Sequence, residues 1–94
     1  MKRAELKVRN EISEFLFVHV GMKIFDHYEW KGHVGEVWIE ARQDVENIII
    51  NCYCFGTHFI RLARSEGKVI RFKAAPVCQG LTQLRWFMEQ IKKK

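Results

Sequence analysis

The residues of this sequence with the most evident chemistry are three cysteines and a nearby histidine. Cys52 and Cys54 stand two positions apart, His58 follows four positions later, and Cys78 lies alone. Thiolates and imidazoles can hold zinc, and a cysteine beside a histidine can act as a nucleophile. A C-x-C pair on an apolar strand lacks the turn geometry of C-x₂-C zinc sites, however. We therefore interpret the cysteines as buried, reduced thiols and expect no catalytic residue, no metal and no cofactor.

Positive charge is the second chemical feature. The chain contains 16 Lys and Arg against 11 Asp and Glu, which gives a formal net charge of +5 at pH 7. Such a balance favours acidic partners, of which nucleic acid is the most common. Many small domains are equally basic, so the net charge indicates a nucleic-acid partner only if the positive residues cluster on one surface.

The elements that must position these groups begin with an amphipathic helix. Apolar residues recur at intervals of four, four and three, at Ala4, Val8, Ile12 and Phe15. This spacing predicts a helix over residues 3–14. Two continuations stay open: the helix runs on to residue 20 and ends at Gly21, or a strand begins at Leu16. We favour the helix.

The rest of the chain predicts a sheet and a second helix. β-rich runs separated by short turns occupy residues 22–30, 33–42, 47–55, 58–64 and 68–73. After Pro76 the apolar residues return to helical spacing, with Lys at the carboxyl end. The sequence therefore predicts a single α+β domain over residues 1–94: an N-terminal helix, a five-stranded antiparallel β-meander and a C-terminal amphipathic helix packed on one face of the sheet.

Strand registers follow from the requirement that core residues lie opposite core residues, because a slip of one residue would send a strand's apolar set to the other face. Turns at residues 31–32, 43–46, 55–57 and 65–67 satisfy this requirement. The resulting core pairs are Ile24 with Ile39, Ile39 with Ile50, Cys52 with Ile60, Leu62 with Ile70, and Ile60 with Phe72. Met22 also falls on the core face in this arrangement.

The opposite face of the predicted sheet combines aromatic and basic side chains. Its rings are Trp38, Tyr53 and Phe59, and its cations are Arg61, Arg71 and Lys73, with Arg61 directly opposite Arg71. Rings can stack on bases while cations hold phosphates, which is the composition of a platform for single-stranded nucleic acid. The leading interpretation is a non-enzymatic module that binds single-stranded nucleic acid through these six residues.

Other interpretations of this face stay open. The N-terminal helix or a second subunit would bury the rings, since large apolar patches seldom remain uncovered. Trp86 points away from the apolar stripe of the C-terminal helix, which is typical of a partner contact. A protein-binding adaptor or inhibitor, of the mobile-element or phage kind, and a homodimer are therefore the alternatives. A small ribonuclease-like toxin, using the three cations and His58, is the third interpretation.

The location of the protein follows from the absence of targeting patterns. No apolar run approaches the roughly 20 residues needed to cross a bilayer. The start of the chain mixes both charges where a secretory signal would be apolar. Together with the odd number of cysteines, these features lead us to expect a cytoplasmic protein that does not associate with membranes.

Overall fold

The computed structural model describes residues 2–93, which form two helices and one five-stranded sheet. In chain order the elements are α1 (Arg3–Ile24), β1 (Glu29–Val34), β2 (Val37–Asp44), β3 (Asn47–Cys54), β4 (Thr57–Ser65), β5 (Lys68–Ala74), a 3-10 turn (Pro76–Cys78) and α2 (Gly80–Lys92). The strands pair antiparallel in the order of the chain. The predicted α+β class is confirmed: along the chain, one helix precedes and one helix follows a five-stranded antiparallel meander.

α1 is longer than the sequence pattern predicted. Its buried apolar residues continue at intervals of four, at Val8, Ile12, Leu16, Val20 and Ile24. The helix therefore passes through Gly21, and of the strand predicted over residues 22–30 only residues 29–30 lie in a strand. Because Met22 lies on the outward side of the helix, it is 86% exposed and does not belong to the core.

The turn between β1 and β2 lies at Gly35 and Glu36, so the predicted turn at residues 31–32 is wrong. Gly35 has a positive φ of 56°, and a Cβ at this position would collide with the carbonyl oxygen of Gln90 in α2. The backbone N–H of Glu36 donates to that same oxygen at 3.0 Å. Only glycine fits where the hairpin meets the helix, and this contact determines the register of the first strand pair.

The other hairpins keep the predicted faces although two of their registers differ. Cys52 lies opposite Ile60 as predicted. In the neighbouring pairs Ile39 lies opposite Cys52 rather than Ile50, and Ile60 lies opposite Ala74 rather than Phe72. Each of these two registers is displaced by two residues. Because side chains alternate with a period of two, a displacement of two residues moves no side chain to the other face, and only bulges do so.

Two β-bulges add one residue each to the sheet. In β4 the extra residue is Phe59, since Cys52 pairs with Ile60 while Tyr53 pairs with His58. The bulge turns Phe59 towards α2, where its ring centroid lies 5.5 Å from that of Trp86. The prediction that Phe59 lies on the outer face is therefore wrong. In β5 the extra residue is Ile70, which is 58% exposed and not a core residue.

Both helices pack on the same face of the sheet, and one apolar cluster joins them to it. The guanidinium of Arg9 in α1 lies 5.1 Å from the ring centroid of Phe72, and the ammonium of Lys23 lies 5.3 Å from that of Trp30. The alternative in which α1 covers the opposite face is thus wrong. Neither helix within residues 2–93 has the length and apolar content that crossing a lipid bilayer requires.

The size of the core face explains why it needs both helices. β2 and β3 have eight residues each, a length of about 26 Å at about 3.3 Å per residue. A helix with its side chains is about 10 Å wide. One helix lying across the strands would therefore leave more than half of the core face in water.

Candidate functional site

The outer face of the sheet, meaning the face turned away from α1 and α2, is not covered by any element within residues 2–93. Three rows of cross-strand partners cross it: His33, Trp38, Tyr53 and His58; then Lys31, Glu40, Asn51, Arg61 and Lys73; then Glu29, Arg42, Ile49, Ala63 and Arg71. Five of the six residues predicted for the site lie in these rows, so the sheet brings together all of them except Phe59.

The first row, which we call the aromatic row, contains the four rings of His33, Trp38, Tyr53 and His58. The rings of His33 and Trp38 lie 5.1 Å apart at 71°, and those of Tyr53 and His58 lie 5.1 Å apart at 53°. Trp38 and Tyr53 are direct cross-strand partners. Both are half-buried, so each ring keeps part of its surface open to a ligand.

The site thus contains two histidines, His33 and His58, that the sequence pattern did not assign to it. His58 replaces Phe59 opposite Tyr53 because of the bulge in β4. Its Nε2 lies 3.2 Å from the side-chain oxygen of Asn51, and since that oxygen can only accept, Nε2 is the donor. Asn51 stands in the second row, directly opposite Arg61. This hydrogen bond therefore joins the aromatic row to the basic part of the face.

The second feature of the outer face is a cationic patch formed by Arg61, Arg71 and Lys73. All three side chains are exposed. Arg61 lies opposite Lys73 rather than Arg71, which lies opposite Ala63. Like charges directly across a strand pair destabilise a sheet by about 0.2–1 kcal/mol. A bound anion would relieve that repulsion through charge-assisted hydrogen bonds.

Charge is distributed unevenly over the outer face. On β1 and β2, Lys31 lies opposite Glu40 and Glu29 lies opposite Arg42, so that half is balanced. On β4 and β5, the outer face carries cations and no acidic residue. A negatively charged ligand is therefore directed to the β4–β5 half, next to the aromatic row.

We compared the chain with protein-family models, with curated proteins and with solved structures. None matches it. Its function is therefore argued from the chemistry of its own surfaces.

Trp86, the predicted partner contact, has an intramolecular role in the structure. Its ring is half-buried and packs on Phe59, and the ring of Phe59 in turn lies 6.2 Å from that of Phe87. Trp86 lies on α2 away from the main apolar stripe, but the bulge in β4 brings the ring of Phe59 against it. The sequence pattern missed this contact because the bulge moves Phe59 to the opposite face.

The three cysteines are free and buried within the helix-covered side of the sheet. Burial raises the pKa of Cys78 to about 11, with a smaller contribution from Cys54 in the same direction. The pKa of the Cys52 thiol is also raised, mainly by burial and further by the other two cysteines. These thiols stay protonated at neutral pH, which makes them poor nucleophiles and poor ligands. Within residues 2–93, no group of His, Cys, Asp or Glu side chains is arranged to hold a metal ion.

Proposed function

We propose that the protein binds single-stranded nucleic acid on the outer face of its sheet and does not cleave it. The observation that carries the proposal is the open outer face, on which an aromatic row adjoins a cationic patch. Arg61 and Lys73 lie one row from the aromatic row, about 7 Å along the strands, and Arg71 lies one row further. A backbone held by the patch thus brings its bases within reach of the rings.

Each part of the face contributes a distinct kind of energy. Stacking of a base on a ring such as Trp38 or Tyr53 contributes about 1–3 kcal/mol and tolerates any base sequence. Phosphate binding by the cationic patch releases counterions and makes affinity depend on salt. Single strands are the better fit, because a duplex hides the base surfaces that the rings need.

The histidines support binding rather than cleavage. A general acid and a general base must both reach the same phosphate within hydrogen-bond distance or through one water. His33 and His58 stand at opposite ends of the aromatic row, three interstrand spacings or about 14 Å apart. His33 and His58 are therefore too far apart to act as an acid–base pair on one phosphate.

The test is the salt dependence of oligonucleotide binding, measured by fluorescence anisotropy with a short labelled single strand. The variant R61A/R71A/K73A removes the cationic patch. The control R3A/R85A/K92A removes the same charge from exposed positions on the helices. Three lost phosphate contacts should reduce the slope of log affinity against log salt by about 2, at about 0.7 per contact.

Only the outer-face variant should show the smaller slope and the weaker binding. Equal losses in both triple variants would show that net charge, and not this surface, attracts the oligonucleotide. The same strand annealed to its complement should bind more weakly than the single strand. Tighter binding of the duplex would contradict the stacking part of the proposal.

A second candidate function, protein binding, is favoured by an exposed apolar stripe formed by the last turns of α1 and its C-cap residue Phe25. Val18, Met22 and Phe25 are 62%, 86% and 78% exposed. Their spacing of four and three places them on one side of the helix. Apolar groups gathered on a surface commonly mark a protein contact, and the simplest partner is a second copy of the chain.

Light scattering after size exclusion tests this candidate. A dimer that M22E/F25E converts to a monomer would support it. The control V45E/F55E places the same charges at two turn residues that are 89% and 87% exposed, and it should leave the dimer intact. A monomer at all concentrations would reject the homodimer.

A further inference from the structure

β5 is an edge strand whose backbone is available on one side. It is the last strand of the sheet, and five of its seven residues are exposed. The N–H of Ala75 donates to the carbonyl oxygen of Phe59 in β4 at 2.7 Å. Because such bonds alternate along an antiparallel pair, the backbone groups of Lys73 and Arg71 also face β4. Those of Phe72 and Ala74 therefore point away from the sheet, where an added strand would lie.

A cleft of about 290 Å³ runs along this edge between β5 and the amino-terminal half of α1. Leu6, Val69, Ile70 and Phe72 contribute apolar surface to it, and Arg9 from α1 and Arg71 from β5 add positive charge at its wall. Leu6, Val69 and Ile70 are 49%, 41% and 58% exposed. An extended chain along β5 would place every second side chain in this cleft, where apolar groups would cover the exposed aliphatic surface.

The opposite side of the same edge is basic. Lys68, Arg71 and Lys73 are exposed, and β5 contains no acidic residue. The other side chains of an added strand would lie on this side, next to the cations. Acidic groups there would be stabilised as cross-strand pairs of opposite charge.

These observations also distinguish between possible occupants. If two copies of the chain paired through β5, the outer-face side chains of both edges would be Lys and Arg, and cations would lie beside cations. A strand that alternates apolar and acidic residues has the opposite charge and fits the cleft. We infer that the edge of β5 binds an extended segment of another protein with this alternating pattern, as an added strand.

This inference goes beyond binding of nucleic acid on the outer face. Arg71 and Lys73 belong to both surfaces, whereas the backbone edge of β5 and the helix-side cleft belong only to the strand-binding surface. A suitable probe is a peptide of alternating Glu and Val with blocked ends. The measurement is amide hydrogen exchange of the full chain by NMR, with and without this peptide.

The expected result is protection of the two outward amides, Phe72 and Ala74. At a peptide concentration about nine times its Kd, their exchange should slow about tenfold, since about nine tenths of the protein is then bound. The amides of Arg71 and Lys73 already bond to β4 and should change little. A matched peptide of alternating Lys and Val should protect none of them.

Variants separate this surface from the nucleic-acid face. L6Q/I70T replaces two exposed apolar cleft residues with uncharged polar ones and should abolish the protection while leaving oligonucleotide binding unchanged. W38A/Y53A should do the reverse. The inference is overturned if the Glu–Val peptide binds without slowing exchange at Phe72 and Ala74, because that result would show charge attraction alone. It is equally overturned if L6Q/I70T retains full protection.

Discussion

Replacing Gly35 with alanine should destabilise the protein by about 2–4 kcal/mol, well beyond the ordinary cost of a side chain in a left-handed turn. Gly35 has a φ of 56° and faces the carboxyl-terminal part of α2. For a residue with a Cβ, the left-handed conformation costs about 1–2 kcal/mol. The new Cβ would also displace the carbonyl oxygen of Gln90, so the hairpin and the helix must separate.

That separation adds a second cost. It breaks the 3.0 Å hydrogen bond from the N–H of Glu36 to Gln90, a loss of about 0.5–1.5 kcal/mol. It also loosens the packing of the buried residues Val34 and Ile91 near the contact. The same hairpin carries His33 and Trp38, so oligonucleotide binding on the outer face should weaken as well.

The control for this prediction is Gly56→Ala. Gly56 has a φ of 78°, and a Cβ there would meet nothing within 4 Å. It therefore carries the same conformational cost of about 1–2 kcal/mol without the collision. The assay is urea unfolding followed by circular dichroism. If G35A is no more destabilising than G56A, the contact with Gln90 does not hold the hairpin and the reasoning is wrong.

Three further predictions concern the site and the core. W38A/Y53A should weaken single-strand binding by about 1–3 kcal/mol per lost stack and leave the salt slope unchanged; a changed slope would mean that the rings do not act by stacking. Phe59→Ala should cost about 2–4 kcal/mol of stability and shift tryptophan fluorescence to the red as Trp86 becomes exposed. Unaltered stability together with lost oligonucleotide binding would show instead that Phe59 lies on the outer face. The pKa of Cys78 is raised from 9.0 to about 11, so the native state keeps a proton that the unfolded chain releases, and stability should fall as pH rises from 9 to 11. The free energy of unfolding, measured at several pH values, should therefore exceed that of C78A by an amount that decreases from pH 9 to 11. A difference that stays constant would contradict the raised pKa.

The side-chain alternation of the strands was predictable from the sequence. Trp38, Tyr53, Arg61, Arg71 and Lys73 lie on the outer face as the pattern indicated. Two of the predicted registers were displaced by two residues because the tight turns were not recognised. Val45 takes a positive φ without being glycine, so nothing local marks that turn. These five side chains kept their predicted face because alternation depends only on neighbouring residues along one strand.

The first strand and its turn could not be predicted, because two patterns overlap there. Apolar residues continue at helical spacing to Ile24, while the residues that follow also resemble a strand. Two glycines, Gly32 and Gly35, are both possible turn residues. The contact between Gly35 and Gln90 in α2 decides between them, and these residues are far apart in the chain.

The sequence by itself therefore determined the number, type and order of the elements and the cationic half of the outer face, because these follow from local periodicity and charge. Tertiary structure decided which face each helix covers and where the bulges lie. The apolar stripe of α1 would suit either face, and only the width of the core face requires both helices on one side. Phe59 leaves the outer face for a half-buried position against the rings of Trp86 and Phe87, and no pattern within β4 contains that information.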